Sequence, residues 1–151
     1  MVTQRPVSPR HRLRNGVVVL SHRIGLPFGP LHLLTVPGRR SGLPRTAPVA
    51  PVVVDGTYYL LQAYPGSDWV KNARAAGRGT LTRGRRSWAV RLTELPEAER
   101  APVLREFPVQ NPRGVAAFQR NGLVRSGTPD GFAEAAADCP VFLVAPVDLR
   151  A

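Results

Sequence analysis

The sequence predicts a mainly β fold of the α+β class: about six antiparallel strands forming a small closed or split barrel, with short peripheral helices. Three observations predict it. Short apolar stretches alternate with turn residues from Leu31 onward. Two pairs of these stretches are joined by two-residue links, Asp55-Gly56 and Gly84-Arg85, and strands joined so tightly run antiparallel. Helical periodicity is confined to a few short segments bounded by Pro or Gly.

Residues 1–16 read as a basic lead-in that Pro6 and Pro9 keep from being helical. Val17 to Arg23 reads as one or two helical turns or a short apolar plug, and Gly25 to Pro30 as an irregular link. Leu31–Val36 is the first expected strand and Thr46–Val54 the second. Pro48 and Pro51 mark that second strand as an edge or a bulged strand. Thr57–Ala63 is the third, paired to the second through Asp55-Gly56. Ser67 or Asp68 starts a helix to about Ala76, with Trp69, Asn72, Ala73 and Ala76 on one face and Gly77 ending it.

Gly79–Arg83 and Arg86–Leu95 form the next hairpin. Its second strand alternates Trp88, Val90 and Leu92 against Ala89, Arg91 and Thr93, which makes Trp88 a core residue. Pro96 opens a further helix with Glu97 and Glu99 near its positive end, and Pro102 limits its regularity. Arg113–Asn121, closed by Gly122, and Asp130–Ala137, capped by Thr128-Pro129, are short helices. Pro140–Val147 is the last strand.

A chain of 151 residues with 43% hydrophobic content builds one core, so residues 17–151 read as a single domain. No apolar run approaches the roughly 20 residues of a membrane helix. Val17–Leu20 is too short for a secretory core, and the protein is expected to be cytoplasmic, with the basic N-terminus open to peripheral contact with an anionic membrane. Cys139 is the single cysteine, which excludes an intrachain disulfide and a cysteine-rich metal site; no metal is expected.

The net charge of +11 is almost wholly arginine, Lys71 being the single lysine. Guanidinium groups hold phosphate with a planar fork of donors and keep their charge. A nucleic acid, an anionic lipid or a phosphate-bearing cofactor each fit that balance. A GC-rich genome writes the same composition, and charge alone does not separate these explanations. No helix-turn-helix pattern, zinc spacing or aromatic-basic strand motif is present, which argues against nucleic acid.

The most informative segment is Thr35-Val36-Pro37-Gly38-Arg39-Arg40-Ser41-Gly42-Leu43-Pro44-Arg45-Thr46. It lies between two expected strands and concentrates guanidinium groups, hydroxyls and glycines. Glycines let the backbone turn and bring its N–H groups close to a ligand. Arginines and hydroxyls supply charge-assisted hydrogen bonds to phosphate oxygens. The segment lacks the Gly-Lys-Ser/Thr and following helix of a P-loop and the glycine spacing of a dinucleotide fingerprint. A solvated basic turn is the alternative.

This block, followed by Trp69-Val70-Lys71-Asn72-Ala73-Arg74-Ala75-Ala76-Gly77 and closed by Cys139-Pro140-Val141-Phe142-Leu143, resembles the deazaflavin-dependent nitroreductases of actinobacteria, which include F-420-dependent quinone reductases. The resemblance runs from about residue 28 to 147. It implies a split β-barrel similar to the flavin-binding pyridoxamine phosphate oxidases. The implied cofactor is coenzyme F-420, an 8-hydroxy-5-deazaflavin with a phospholactyl oligoglutamate tail, whose reduced form gives a hydride to quinones, nitroaromatics or other electron-poor small molecules. By this resemblance Gly38, Arg39, Arg40, Ser41 and Gly42 form the phosphate-binding loop and Arg45 adds charge. Pro48 and Val49 line the deazaflavin, and Trp69 and Asn72 pack against it or hydrogen-bond to it. The chain departs from the family where Ala63-Tyr64-Pro65-Gly66 replaces a Ser-Lys-Gly-Gly-like turn and Ser67-Asp68 replaces His-Pro, which leaves the acceptor open.

Hydride chemistry belongs to the cofactor, so little is asked of side chains. No Ser-His-Asp set or paired carboxylates are visible. His32 alternates with apolar neighbours and reads as a packed histidine. Tyr64 and Phe118 are candidate substrate-side residues, each with packing as the alternative. Phe107 and Phe132 read as barrel cover. Arg83, Arg85 and Arg86 read as a solvated hairpin tip. FMN is the alternative cofactor, and a non-catalytic carrier of cofactor, lipid or haem is the alternative function. A monomer and a homodimer are both compatible with the exposed edges of such a barrel.

Overall fold

The computed structural model describes residues 31–147. The expectations for residues 1–30, namely the basic lead-in, the turn or plug at Val17–Arg23 and the membrane contact, lie outside the described residues. In chain order the elements are β1 (His32–Pro37), β2 (Pro44–Val49), β3 (Val52–Val54), β4 (Thr57–Leu61), α1 (Asp68–Ala76), β5 (Arg78–Arg83), β6 (Arg86–Glu94), α2 (Ala101–Gln110), α3 (Val115–Arg120), α4 (Pro129–Ala133) and β7 (Val141–Pro146). Single 3-10 turns occupy Glu97–Glu99 and Pro112–Gly114. The described chain divides into two compact units, each discontinuous in sequence: residues 31–50, 66–92 and 145–147 form one, and residues 51–65 and 93–144 the other.

The first unit is built on the antiparallel order β2-β1-β5-β6. The strands alternate, so Leu34 and Val36 of β1, Leu81 of β5 and Val90 of β6 turn to one side and are fully buried. Leu34 is opposite Ala47 on one flank and Leu81 on the other. Helix α1 packs on β1 and buries Val70, Asn72 and Ala73. His32 is buried with its ring edge-on to Trp88, centroids 6.1 Å apart, as a packed histidine should be. Trp88 itself is only half-buried, which corrects its expected place in the core: it lies beyond the covered middle of β6. The chain returns to this unit through Val147, whose N–H donates to the Ala89 carbonyl at 2.9 Å.

The second unit has the antiparallel order β7-β4-β3. Asp55 and Gly56 link β3 to β4 with φ of 50° and 78°. Both turn residues thus sit in the left-handed region that matches the twist of a two-residue hairpin. The expected single strand Thr46–Val54 is corrected to two, because Ala50-Pro51 interrupts it and sends β2 and β3 to different units. Pro51 has no N–H to continue a ladder. Helix α2 begins only at Ala101. Pro102 stands in its first turn, where a missing N–H costs nothing, and Pro108 lies inside it. The later helices are shorter than expected, α3 starting after the 3-10 turn and α4 ending at Ala133, although Thr128 caps α4 as expected through Oγ1, which accepts from Gly131 N–H at 3.1 Å.

The core of this unit is aromatic. Phe107, Phe118 and Phe132 pack mutually, with ring centroids 4.7, 5.4 and 5.0 Å apart, among Val52, Leu104 and Val141. Arg100 ties the surrounding loops. Its Nε donates to the Leu95 carbonyl and its Nη1 to the Ala136 carbonyl, each at 3.0 Å, while Nη2 pairs with Glu94 at 3.5 Å. Gln110 addresses the backbone of β3: Val53 N–H donates to its Oε1 at 2.8 Å and its Nε2 donates to the Val53 carbonyl at 2.7 Å.

Cys139 is fully buried, its Sγ donating toward the Gln62 carbonyl at 3.5 Å. Burial pushes the thiol up from its ordinary 9.0 to about 12, against a smaller lowering by Arg100. The folded state therefore holds this proton more tightly than the unfolded chain. The associated stability is intact below about pH 9 and declines between there and about pH 12. At pH 8 the thiol is expected to resist Ellman's reagent until the protein unfolds; labelling at the rate of a free thiol under native conditions would contradict this.

Candidate functional site

The site grows from the connection between β1 and β2. Gly38 N–H donates to the Leu43 carbonyl and Gly42 N–H to the Gly38 carbonyl, both at 2.8 Å, so the loop closes on itself. Ser41 Oγ accepts from Leu43 N–H at 3.2 Å, which leaves its hydroxyl proton to point elsewhere. One position favours glycine by its backbone and a second is tightly surrounded. At Gly42 φ is 73°, and at Gly38 a Cβ would meet Ser41 Oγ at 3.2 Å and the Leu43 carbonyl at 3.3 Å.

Helix α1 fixes this loop. Asn72 is buried, and its Oδ1 accepts from both the backbone N–H of Arg39 at 3.0 Å and Arg39 Nη1 at 2.9 Å. Two donors converge on one atom, which must therefore be the amide oxygen, and the amide N–H groups face away from them. Arg39 Nη2 also lies 3.3 Å from Asp68 Oδ1. The guanidinium at position 39 is thus held in place by two residues one helical turn apart.

Loop, β2 and α1 enclose a cleft of about 630 Å³. That volume lies within the range of small-molecule and cofactor sites, roughly 300–1,000 Å³. The cleft brings together Gly38, Arg39, Arg40, Ser41, Arg45, Trp69 and Asn72 of the expected site. Its walls carry three guanidinium groups against one carboxylate, that of Asp68. Among the described residues the side chains of Arg40 and Arg45 have no ion-pair or hydrogen-bond partner, so both are available to an anion.

Other expected site residues lie elsewhere. Gly42 shapes the loop without lining the cleft. Pro48 is opposite Leu33 in the β1–β2 ladder and Val49 is buried, 7% exposed; β2 instead gives the cleft Pro44, Thr46 and Ala47. Tyr64 belongs to the second unit, half-buried, its carbonyl accepting from Gln62 Nε2 at 2.9 Å. Phe118 is 1% exposed in the aromatic core, which corrects its assignment as an acceptor-facing ring. Asn72 lines the cleft; its oxygen organises Arg39, leaving its amide N–H groups to a ligand. Sequence reasoning missed Asp68 as a cleft residue because its place in the first turn of α1 already accounted for it.

The F420H(2)-dependent quinone reductase family matches residues 7–122. The chain belongs to this family. Membership places it among F-420-dependent oxidoreductases; it implies coenzyme F-420 and gives no support to FMN. A search of the curated proteins found no match. Solved structures with the same fold include one described as an F420-H2 dependent reductase, 22% identical with a TM-score of 0.53, covering 77% of this chain and 94% of that one. A domain-swapped dimer is 20% identical with a TM-score of 0.56, covering 91% and 99%. The haem storage protein HutZ from Vibrio cholerae is 9% identical with a TM-score of 0.55, covering 88% and 89%. The fold of this family member is the antiparallel split β-barrel class expected, with seven strands among the described residues rather than about six. Among the described residues no helix is long and apolar enough to cross a membrane.

Proposed function

We propose that this family member binds coenzyme F-420 in the cleft between the β1–β2 loop and α1, and that the reduced cofactor passes a hydride to a quinone or another electron-poor small molecule. The observation that carries the reading is the pair of unpartnered guanidinium groups, Arg40 and Arg45, on a loop that Asn72 holds in shape. The residues suit the group. Arg40 and Arg45 offer charge-assisted hydrogen bonds to a phosphate, while Ser41 and the Asn72 amide offer neutral donors. Trp69 supplies an apolar wall to the same cleft. When bound, the deazaflavin supplies the hydride chemistry, and the protein's part is orientation. The Arg39–Asn72 contacts are internal to the protein and fix the loop's shape, and a loop held so lowers the ordering cost of binding.

Titration of the protein into coenzyme F-420, followed by the cofactor's fluorescence, is the test. A dissociation constant in the micromolar range is expected, about −8 kcal/mol. Reduced cofactor should then be oxidised faster when a soluble quinone is added. No saturable change in fluorescence at high protein concentration would sink the proposal.

A further inference from the structure

The hairpin of β5 and β6 ends in a second concentration of positive charge. Gly84 and Arg85 make the turn, Gly84 with φ of 59°, and Arg83 lies directly opposite Arg86 in the register. Arg83, Arg85 and Arg86 are all exposed. Like charges set directly opposite each other weaken a strand pair. No Asp or Glu occurs from Trp69 to Thr93 to offset them. Among the described residues none of the three side chains has an ion-pair or hydrogen-bond partner. The charge therefore costs the hairpin stability and returns none to it.

This cluster is separate from the cleft. Pro37, the last residue of β1, leads into the cleft loop, whereas Thr82, next to the tip, is opposite Leu33 near the start of β1. At about 3.3 Å per residue the tip and the cleft loop are roughly 20 Å apart, so one phosphate group cannot meet both.

We propose that the β5–β6 tip is a docking surface for a membrane that carries anionic phosphate headgroups. An exposed two-residue turn does not enclose a small ligand, but it can rest its arginines on an extended anionic surface. Trp88 supports a lipid surface. It is opposite Leu81, two residues along each strand from the Arg83–Arg86 pair, so these four residues share one side of the hairpin. Its ring is half-buried, and tryptophan favours the boundary between headgroups and water. A nucleic acid fits less well. Even a single DNA-binding module buries about 600–1,000 Å² of its surface, more than a four-residue turn presents. Attraction to an anionic bilayer instead accumulates arginine by arginine.

The experiment measures co-sedimentation of the full chain with vesicles of phosphatidylglycerol and phosphatidylcholine in equal parts, at about 0.1 M salt, where charges beyond roughly 10 Å are screened. Wild type should bind these vesicles and not vesicles of phosphatidylcholine alone. Replacing Arg83, Arg85 and Arg86 by serine should weaken binding roughly 100-fold, about fivefold for each arginine. Replacing them by lysine should keep binding within about threefold of wild type, since the headgroups read charge. A control that replaces the exposed Arg113, Arg120 and Arg125 by serine has the same net charge as the first variant and should also stay within about threefold. Equal losses in the two serine variants would show that net charge alone acts and would overturn the proposal. So would wild-type binding that survives loss of the tip arginines, no preference for anionic vesicles, or tip-dependent binding to a DNA duplex without binding to vesicles. All three variants change exposed side chains, and their circular dichroism spectra should match wild type. Their affinity for coenzyme F-420 in solution should be that of wild type, so this test and that of the cleft succeed or fail independently.

Discussion

Replacing Arg40 and Arg45 together by alanine should weaken coenzyme F-420 binding about 100-fold, the loss of two charge-assisted hydrogen bonds worth about 1.4 kcal/mol each in a partly solvated cleft. This pair is the informative one because neither side chain has a protein partner among the described residues. Their removal takes away attraction without leaving a protein group unsatisfied. Arg39 is a poorer probe. Its guanidinium engages Asn72 and Asp68, so Arg39→Ala would loosen the loop as well as remove a charge. The double variant should keep the thermal midpoint of wild type and show a flatter dependence of affinity on salt. Equal affinity in variant and wild type would place the phosphate elsewhere.

Phe118→Ala should lower the stability of the protein by about 3–5 kcal/mol. The ring is 1% exposed and touches both Phe107 and Phe132, so truncation leaves a hole that two neighbouring rings cannot easily fill. For a chain of this size each kcal/mol moves the midpoint by roughly 2–4 °C, and urea denaturation gives the same loss at fixed temperature. The protein that remains folded should bind coenzyme F-420 as wild type does. A stable variant with altered acceptor preference would return Phe118 to the role that the sequence suggested and the structure removes.

The elements legible in the sequence are those fixed by local sterics. Asp55-Gly56 can serve a two-residue hairpin with positive φ at both positions, and the strands on either side followed from it. Gly77, with φ of 66°, stops α1 where expected. The site loop was legible for a similar reason, since glycines, hydroxyls and guanidinium groups announce their chemistry wherever the loop is placed. Long-range consequences were not legible. Asn72 meets Arg39 across 33 residues, and no local pattern states that the amide would face the loop. Periodicity indicated that Phe118 has a buried side without indicating what lies against it. The chain's departure at Pro51 was partly visible, as a proline in a strand, but its division of one strand between two units is a tertiary outcome.

The grip of Gln110 on Val53 has a consequence for how the protein behaves at high concentration. Among the described residues strand β3 has one strand neighbour, β4, and its outward backbone groups would otherwise be a template for pairing with another chain. A side-chain amide offers the same donor and acceptor as a peptide unit, and here it fills both positions at Val53. The protein thus carries its own stopper against sheet extension, made of one glutamine rather than of lysines or a bulge.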